Sequence, residues 1–293
     1  MRSLARLTLV LVVACATTDG GAATTTTIAP VTTGTPASTT SSVPIGTTRV
    51  LAGCPEDTGF VDAGRVMRVD QPTSDTNTLG LISWQAEEGC ERFTVRFETT
   101  EGAPATTPPT VVVDFIESRQ VLRVWTAADS TVVTDQLVET SLVDRMFVVR
   151  GLAGGMFIDL HLNSPAQARA EVSNSPARLM LELEGGVQPF DSTAAYAGNA
   201  VVTTPADGTQ APSGIPLEVT GYARVFEANV LIVATIDDQM VAETTATAAD
   251  WTEAWGEFTA SIQLPPGGVS LFVGEQSPAD GALVGVTIDL TVR

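Results

Sequence analysis

The dominant pattern along the chain is a two-residue alternation of apolar and polar positions, the spacing of half-buried strands. It sets in near Val50. Phe93, Val95 and Phe97 alternate with Arg92, Thr94 and Arg96, so the two sets point to opposite faces. Further strands are predicted at Val111 to Phe115, Val121 to Trp125, Met146 to Val149, Phe157 to Leu162 and Leu179 to Leu183. Gly102-Ala103-Pro104 and Gly154-Gly155 supply turns between them. Helical spacing persists nowhere for three turns, and one short helix is expected around Asp135 to Val143. The alternation resumes at Leu217, Val219 and Gly221, then at Val230, Ile232 and Ala234, then at Phe258, Ala260, Ile262 and Leu264. It is clearest at Val286, Ile288, Leu290 and Val292, with Thr287, Asp289 and Thr291 facing the other way. About seven short strands in ~100 residues is the count of an immunoglobulin-like sandwich. The predicted fold class is therefore all-β, with two sandwich-type domains at 50–187 and 199–293 joined by a polar linker at 188–198.

The stretch before the first strand breaks this pattern. Arg2 and Arg6 precede an apolar run from Leu7 to Val13, followed by Ala14 and Cys15. A membrane-spanning helix needs ~20 apolar residues, so this run reads as a secretory signal over residues 1–14. Val12-Val13-Ala14-Cys15 also resembles the bacterial lipobox. That resemblance implies that Cys15 becomes the mature N-terminus, carries a diacylglycerol on its sulfur, and holds the protein on the outer face of the cell membrane. An ordinary signal peptide cut nearby, with Cys15 unmodified, is the alternative. Residues 15–49 are mostly threonine, alanine, serine, glycine and proline, a composition that cannot bury enough apolar area to offset its conformational entropy. They are expected to form a disordered tether.

Charge and cysteine usage narrow the partners. The net charge is −19, and all 15 cations are arginine. Such a surface repels phosphate backbones and anionic headgroups, which excludes nucleic acid as a general partner. Cys54 and Cys90 fall in a segment placed outside the cytoplasm, where disulfides persist, and they are expected to pair. Two cysteines and one histidine fall short of a four-ligand metal set, and no cofactor motif is present.

Two blocks resemble known families. Glu88 to Phe93, Arg123-Val124, and Asn174 to Leu183 are similar to the AMIN-like domain of actinobacterial lipoproteins, with Pro176, Arg178 and Glu182 matching its closing motif. Glu182 stands where aspartate is more usual in that motif. AMIN relatives are wall-directed modules that often bind peptidoglycan. Thr204 to Gly208, Val219 to Val230, Trp255 to Phe258 and Gln276 to Gly281 resemble the immunoglobulin-like domain of bacterial spore germination. The second resemblance implies an extracytoplasmic β-sandwich with no catalytic role. In the first block, Arg92, Arg96, Arg123 and Arg178 are the candidate ligand face, because cations are scarce and wall polymers carry carboxylate or phosphate.

Candidate chemistry beyond those arginines is thin. His161, the only histidine, shares a strand face with Asp159, but residues two apart on a strand are usually exposed neighbours. No nucleophile motif accompanies them, and a catalytic role is not expected. Phe226 and Trp255 are expected in the core, and Glu227 beside it should need a partner in Arg224 or in backbone amides. Gly221 suits a strand position closely approached by a neighbour. The resulting expectation is a membrane-anchored, non-catalytic binding or scaffolding module of the cell envelope. Its expected partners are wall glycan or another envelope protein.

Overall fold

Each alternating stretch becomes a strand because its apolar set meets a matching set on a facing sheet. The computed structural model describes Cys54 and residues 59–293 other than 88, 117 and 119. The expected signal peptide (1–14), lipidated Cys15 and tether (15–49) lie outside the described residues. All described residues belong to one compact unit.

In the N-terminal half the strands are β1 (Arg65–Val69), β2 (Thr78–Glu87), β3 (Cys90–Glu98), β4 (Val111–Phe115), β5 (Val121–Thr126) and β6 (Ser130–Thr131). They are followed by β7 (Asp135–Leu137), β8 (Val143–Arg150), β9 (Met156–Leu162), β10 (Ala166–Ser173) and β11 (Arg178–Gly185). The C-terminal half contributes β12 (Ala195–Ala197), β13 (Ala200–Thr204), β14 (Gln210–Ala211), β15 (Leu217–Ala223) and β16 (Asn229–Ile236). It ends with β17 (Gln239–Thr247), β18 (Trp255–Ile262), β19 (Gly267–Gln276) and β20 (Leu283–Val292).

These strands make a five-stranded sheet in the order β10-β11-β3-β2-β6, and another in the order β14-β20-β19-β16-β17. Between them runs a ten-stranded sheet, β1-β4-β5-β9-β8-β18-β15-β13-β12, with β7 pairing β8 from the side. The first half therefore packs β3, β11 and their neighbours against β4, β5, β8 and β9 around Phe93, Phe97, Met146 and Leu179. The second half packs β13, β15 and β18 against β16, β19 and β20 around Phe258, Ile232 and Leu271. The ten-stranded sheet serves both cores. Ala195–Ala197, inside the stretch expected to be a linker, forms β12 and pairs with β13.

The expected helix around Asp135 to Val143 is instead a hairpin. Asp135–Leu137 pairs antiparallel with Arg145–Phe147. The turn closes through Val138 N–H donating to Asp144 O (2.8 Å) and Val143 N–H donating to Thr140 Oγ1 (3.1 Å). Val138 and Leu142, four apart, look helical in sequence but enter the core from the two arms of this turn. Gly221 behaves as expected: a Cβ there would lie 2.0 Å from Val201 O, so only glycine lets β13 and β15 meet.

Cys54 and Cys90 are joined by a disulfide with a Cα–Cα distance of 5.0 Å, which ties the segment before β1 to the start of β3. The closed loop spans 36 residues. In the chain-entropy model such a link stabilises the fold by about 3.5–4 kcal/mol. Urea unfolding with and without reductant, or of Cys90→Ser, should show a loss of that size; an unchanged midpoint would mean that the crosslink constrains nothing.

Candidate functional site

The two halves meet where β8 and β18 run parallel, pairing Trp255 with Val149 and Gly256 with Arg150. Strand β9, next to β8, is buried at every position because the C-terminal half covers its outer face. On that face Phe147 is the hub. Its ring centroid lies 4.8 Å from Trp255, 5.1 Å from His161 and 5.2 Å from Tyr222, in edge-on or tilted geometry. Such aromatic pairs contribute beyond their buried area. The sequence has two tyrosines and one histidine, and all three gather here, Tyr196 lying 6.0 Å from His161. The seam is thus a specialised surface. Its rim is polar: Arg150 Nε donates to Asp250 (2.9 Å), Arg150 Nη1 to Asp129 O (2.8 Å), and Trp255 Nε1 to Asp135 (3.2 Å). Gly256 permits the tight turn beneath β18, since a Cβ there would fall 2.3 Å from the Asp250 backbone.

Asp159 and His161 do share a face, but they are buried rather than exposed, His161 at 1% exposure. Asp159 accepts Arg123 Nε and Nη2 at 2.7 Å each, and the guanidinium lies 3.8 Å over the Phe157 ring. The fork geometry satisfies a carboxylate that would otherwise be expensive to bury. His161 Nε2 hydrogen-bonds the Tyr222 hydroxyl, whose electrostatic neighbours include Asp159. Which of the two donates depends on the imidazole tautomer. The other ring nitrogen, Nδ1, is buried with no hydrogen-bond partner among the described residues. Burial is the main cause that pushes the imidazole down to about 4, so it is neutral at pH 7. Asp159, His161 and Tyr222 lie enclosed where the two halves of the ten-stranded sheet meet, each at 1% exposure or less, whereas the Arg123 side chain stays partly exposed.

The four candidate ligand arginines do not form one face. Arg123 belongs to the seam, on the ten-stranded sheet. Arg92, Arg96 and Arg178 line the outer face of the five-stranded sheet that holds β3 and β11. Arg92 is engaged there: its Nε donates to Glu182 Oε1 at 2.8 Å, and Arg169 Nε donates to Oε2 at 2.5 Å. Burial works to raise the Glu182 pKa, but the two arginines outweigh it and hold the carboxyl below its ordinary value. Arg96 and Arg178 sit directly opposite each other across β3 and β11 and are both exposed. They border a cavity of about 430 Å3 with Ser83, Thr94, Pro104 and Pro176.

On the C-terminal half, Trp255 is in the interior as expected, but Phe226 is 56% exposed. The reason is local backbone. Glu227 and Ala228 both take positive φ (54° and 58°), which turns the chain and swings Phe226 outward against Trp251, at a centroid distance of 5.5 Å. Glu227 is exposed in consequence, and Arg224 donates to Thr252 O (3.1 Å) instead. The seam tyrosines and this aromatic pair were not marked as sites by the alternation. The scarcity of tyrosine and histidine was the available signal, and scarcity alone does not say where residues meet.

The fold and site define an all-β protein whose C-terminal part is immunoglobulin-like. Residues 199–282 match the family model described as the immunoglobulin-like domain of bacterial spore germination. The match starts beside β13 and stops just before β20. No curated protein and no solved structure matches the chain.

Two outcomes follow from the seam. His161→Gln tests the buried imidazole. Unfolded histidine titrates near 6.5, so between that pH and about 4 the unfolded chain binds the extra proton and acidification favours unfolding. The wild type should lose on the order of 3 kcal/mol across this window, and the variant's urea-unfolding free energy should be flatter there. Equal slopes would mean that His161 is not held neutral. Trp255→Ala should cost about 3–5 kcal/mol in thermal or urea unfolding; a loss below about 1 kcal/mol would show that aromatic packing contributes little to the joint.

Proposed function

We propose that the protein is a membrane-anchored extracytoplasmic lipoprotein that acts as a non-catalytic binding or scaffolding module of the cell envelope, engaging wall glycan. The observation that carries this reading is the fate of the titratable groups. The one histidine and its neighbouring aspartate are consumed in the seam, while Arg96 and Arg178, the two exposed strand arginines of the first half without an ion pair among the described residues, line an open cavity suited to holding a ligand rather than transforming it. Three further points support it. The Leu7 to Cys15 stretch has the form of a lipoprotein signal. The Cys54–Cys90 disulfide suits an oxidising compartment. The Pro176, Arg178 and Glu182 motif resembles AMIN-like modules, which are wall-directed.

A second reading, as a protein-interaction module of a membrane or surface complex, is favoured by the Phe226–Trp251 pair exposed on the immunoglobulin-like half. Exposed aromatic anchors are enriched at interfaces.

The experiment is retention of the purified protein on isolated cell walls at low and high salt, beside crosslinking in native membranes. Wall binding predicts retention at low salt that falls as salt rises, and no retention at low salt rejects it. Complex membership predicts a discrete crosslinked species that disappears in Phe226→Ala/Trp251→Ala. An acyl mass on Cys15 of the native mature chain is the expected mark of the anchor; an unmodified full-length chain in the cytosol would reject it.

A further inference from the structure

Arginine placement in the first half follows a rule with two exceptions. Every other described arginine carried by a strand of this half lies in an ion pair with a carboxylate. Arg96 and Arg178 have no such partner within 4.0 Å among the described residues. Shortage of acid does not explain this, because the chain holds 34 carboxylate residues against 15 arginines. The two stand in direct cross-strand register, where Cβ atoms are ~5 Å apart and like charges destabilise the pair. A very acidic protein that leaves two cations face to face has a local field that attracts one negative group to the midpoint.

The surroundings are built to receive such a group. The cavity of about 430 Å3 is large enough for one sugar-sized group, and the Ser83 and Thr94 hydroxyls line it beside the guanidinium pair. Its walls are the loop before Ala105 and the turn before Arg178. They are tied to each other and to β3 by Ala177 N–H to Ala105 O (2.7 Å), Ser175 N–H to Thr106 O (3.0 Å) and Phe97 N–H to Ala177 O (3.2 Å). Held walls reduce the ordering that a ligand must impose. Glu98 also lines the cavity, its carboxyl folded over Gly80, where a Cβ would lie 2.5 Å from Oε1. That carboxylate cannot bind an anion, but it accepts a hydrogen bond from a hydroxyl on the same ligand.

We propose that the Arg96–Arg178 cavity is a binding site for one oxyanion, a carboxylate or phosphate, carried on a hydroxylated group of sugar-ring size. The two guanidinium forks donate to the anion oxygens, and Glu98, Ser83 and Thr94 meet the hydroxyls. This deepens the wall-binding reading and rests on it only for the natural source of the anion.

The test uses the full chain with three probes, namely D-glucuronate, inorganic phosphate and neutral D-glucose, read by the side-chain Nε–H NMR signals of arginine. Glucuronate or phosphate should shift the Arg96 and Arg178 signals saturably while glucose at equal concentration does not. The stronger of the two tells a carboxylate source from a phosphate source. Arg96→Gln/Arg178→Gln should weaken binding at least tenfold with no fall in melting temperature, because it also removes a repulsion. Arg65→Gln, in an ion pair on β1, should bind as the wild type does. Absence of any shift with either anion, or full binding by the double variant, overturns the site. Wall retention of the double variant separates the two claims. If the isolated probes bind but walls do not retain the wild type, the functional reading fails and the site stands. If walls retain both proteins equally, the site is not the wall contact.

Discussion

The parallel contact between β8 and β18, sealed by Phe147, Tyr222 and Trp255, is the interaction on which the rest of the architecture depends. Only two residue pairs are hydrogen-bonded there, too few to hold two sandwiches together through the backbone alone. The aromatic faces do the joining, by removing from water the outer side of β9 and the Tyr222 side of β15, opposite the side that carries Val219 and Ala223. Through that contact two sheets become one of ten strands, and the two cores share a wall. Ala254, from the loop before β18, even reaches into the core of the first half.

Polar groups at this seam are chosen to be buried safely. Asp159 is neutralised by a planar, bidentate guanidinium that also lies over an aromatic ring, and His161 is kept uncharged. Either group left unpaired and charged at the seam would oppose the association of the two halves of this sheet. The outer face of the five-stranded sheet is organised in the opposite manner. Glu182 compensates Arg92 and Arg169, whereas Arg96 and Arg178, two rows along the same face, remain open to solvent. One end of that face is closed electrostatically and the other is poised. Ion pairing therefore distinguishes arginines that hold the fold from arginines available to a ligand, although all of them look alike along the strands.

Much of this architecture is legible along the chain. Val111 to Phe115 is a strand over its whole predicted length, and the clean alternation of Val286 to Val292 lies within β20. The turns at Gly102 and Gly154 take the positive φ that glycine allows. Errors arise where two elements meet. The Val138 and Leu142 spacing looks helical because a tight turn brings both arms of a hairpin to one core. Phe226 looks like core because apolarity does not reveal that the next two residues adopt left-handed backbone.

By itself, the order of residues determined the period of the strands, which side chains point inward on each, the cysteines available to pair and the excess of negative charge, because all of these are local or additive properties. Tertiary structure decided which faces are covered twice, which arginines find carboxylates, and that the only histidine is buried where the two halves of the ten-stranded sheet meet. Those depend on which distant strands become neighbours: Arg123 and Asp159 are 36 positions apart, His161 and Tyr222 are 61 apart, and a pattern of period two carries no record of its partner.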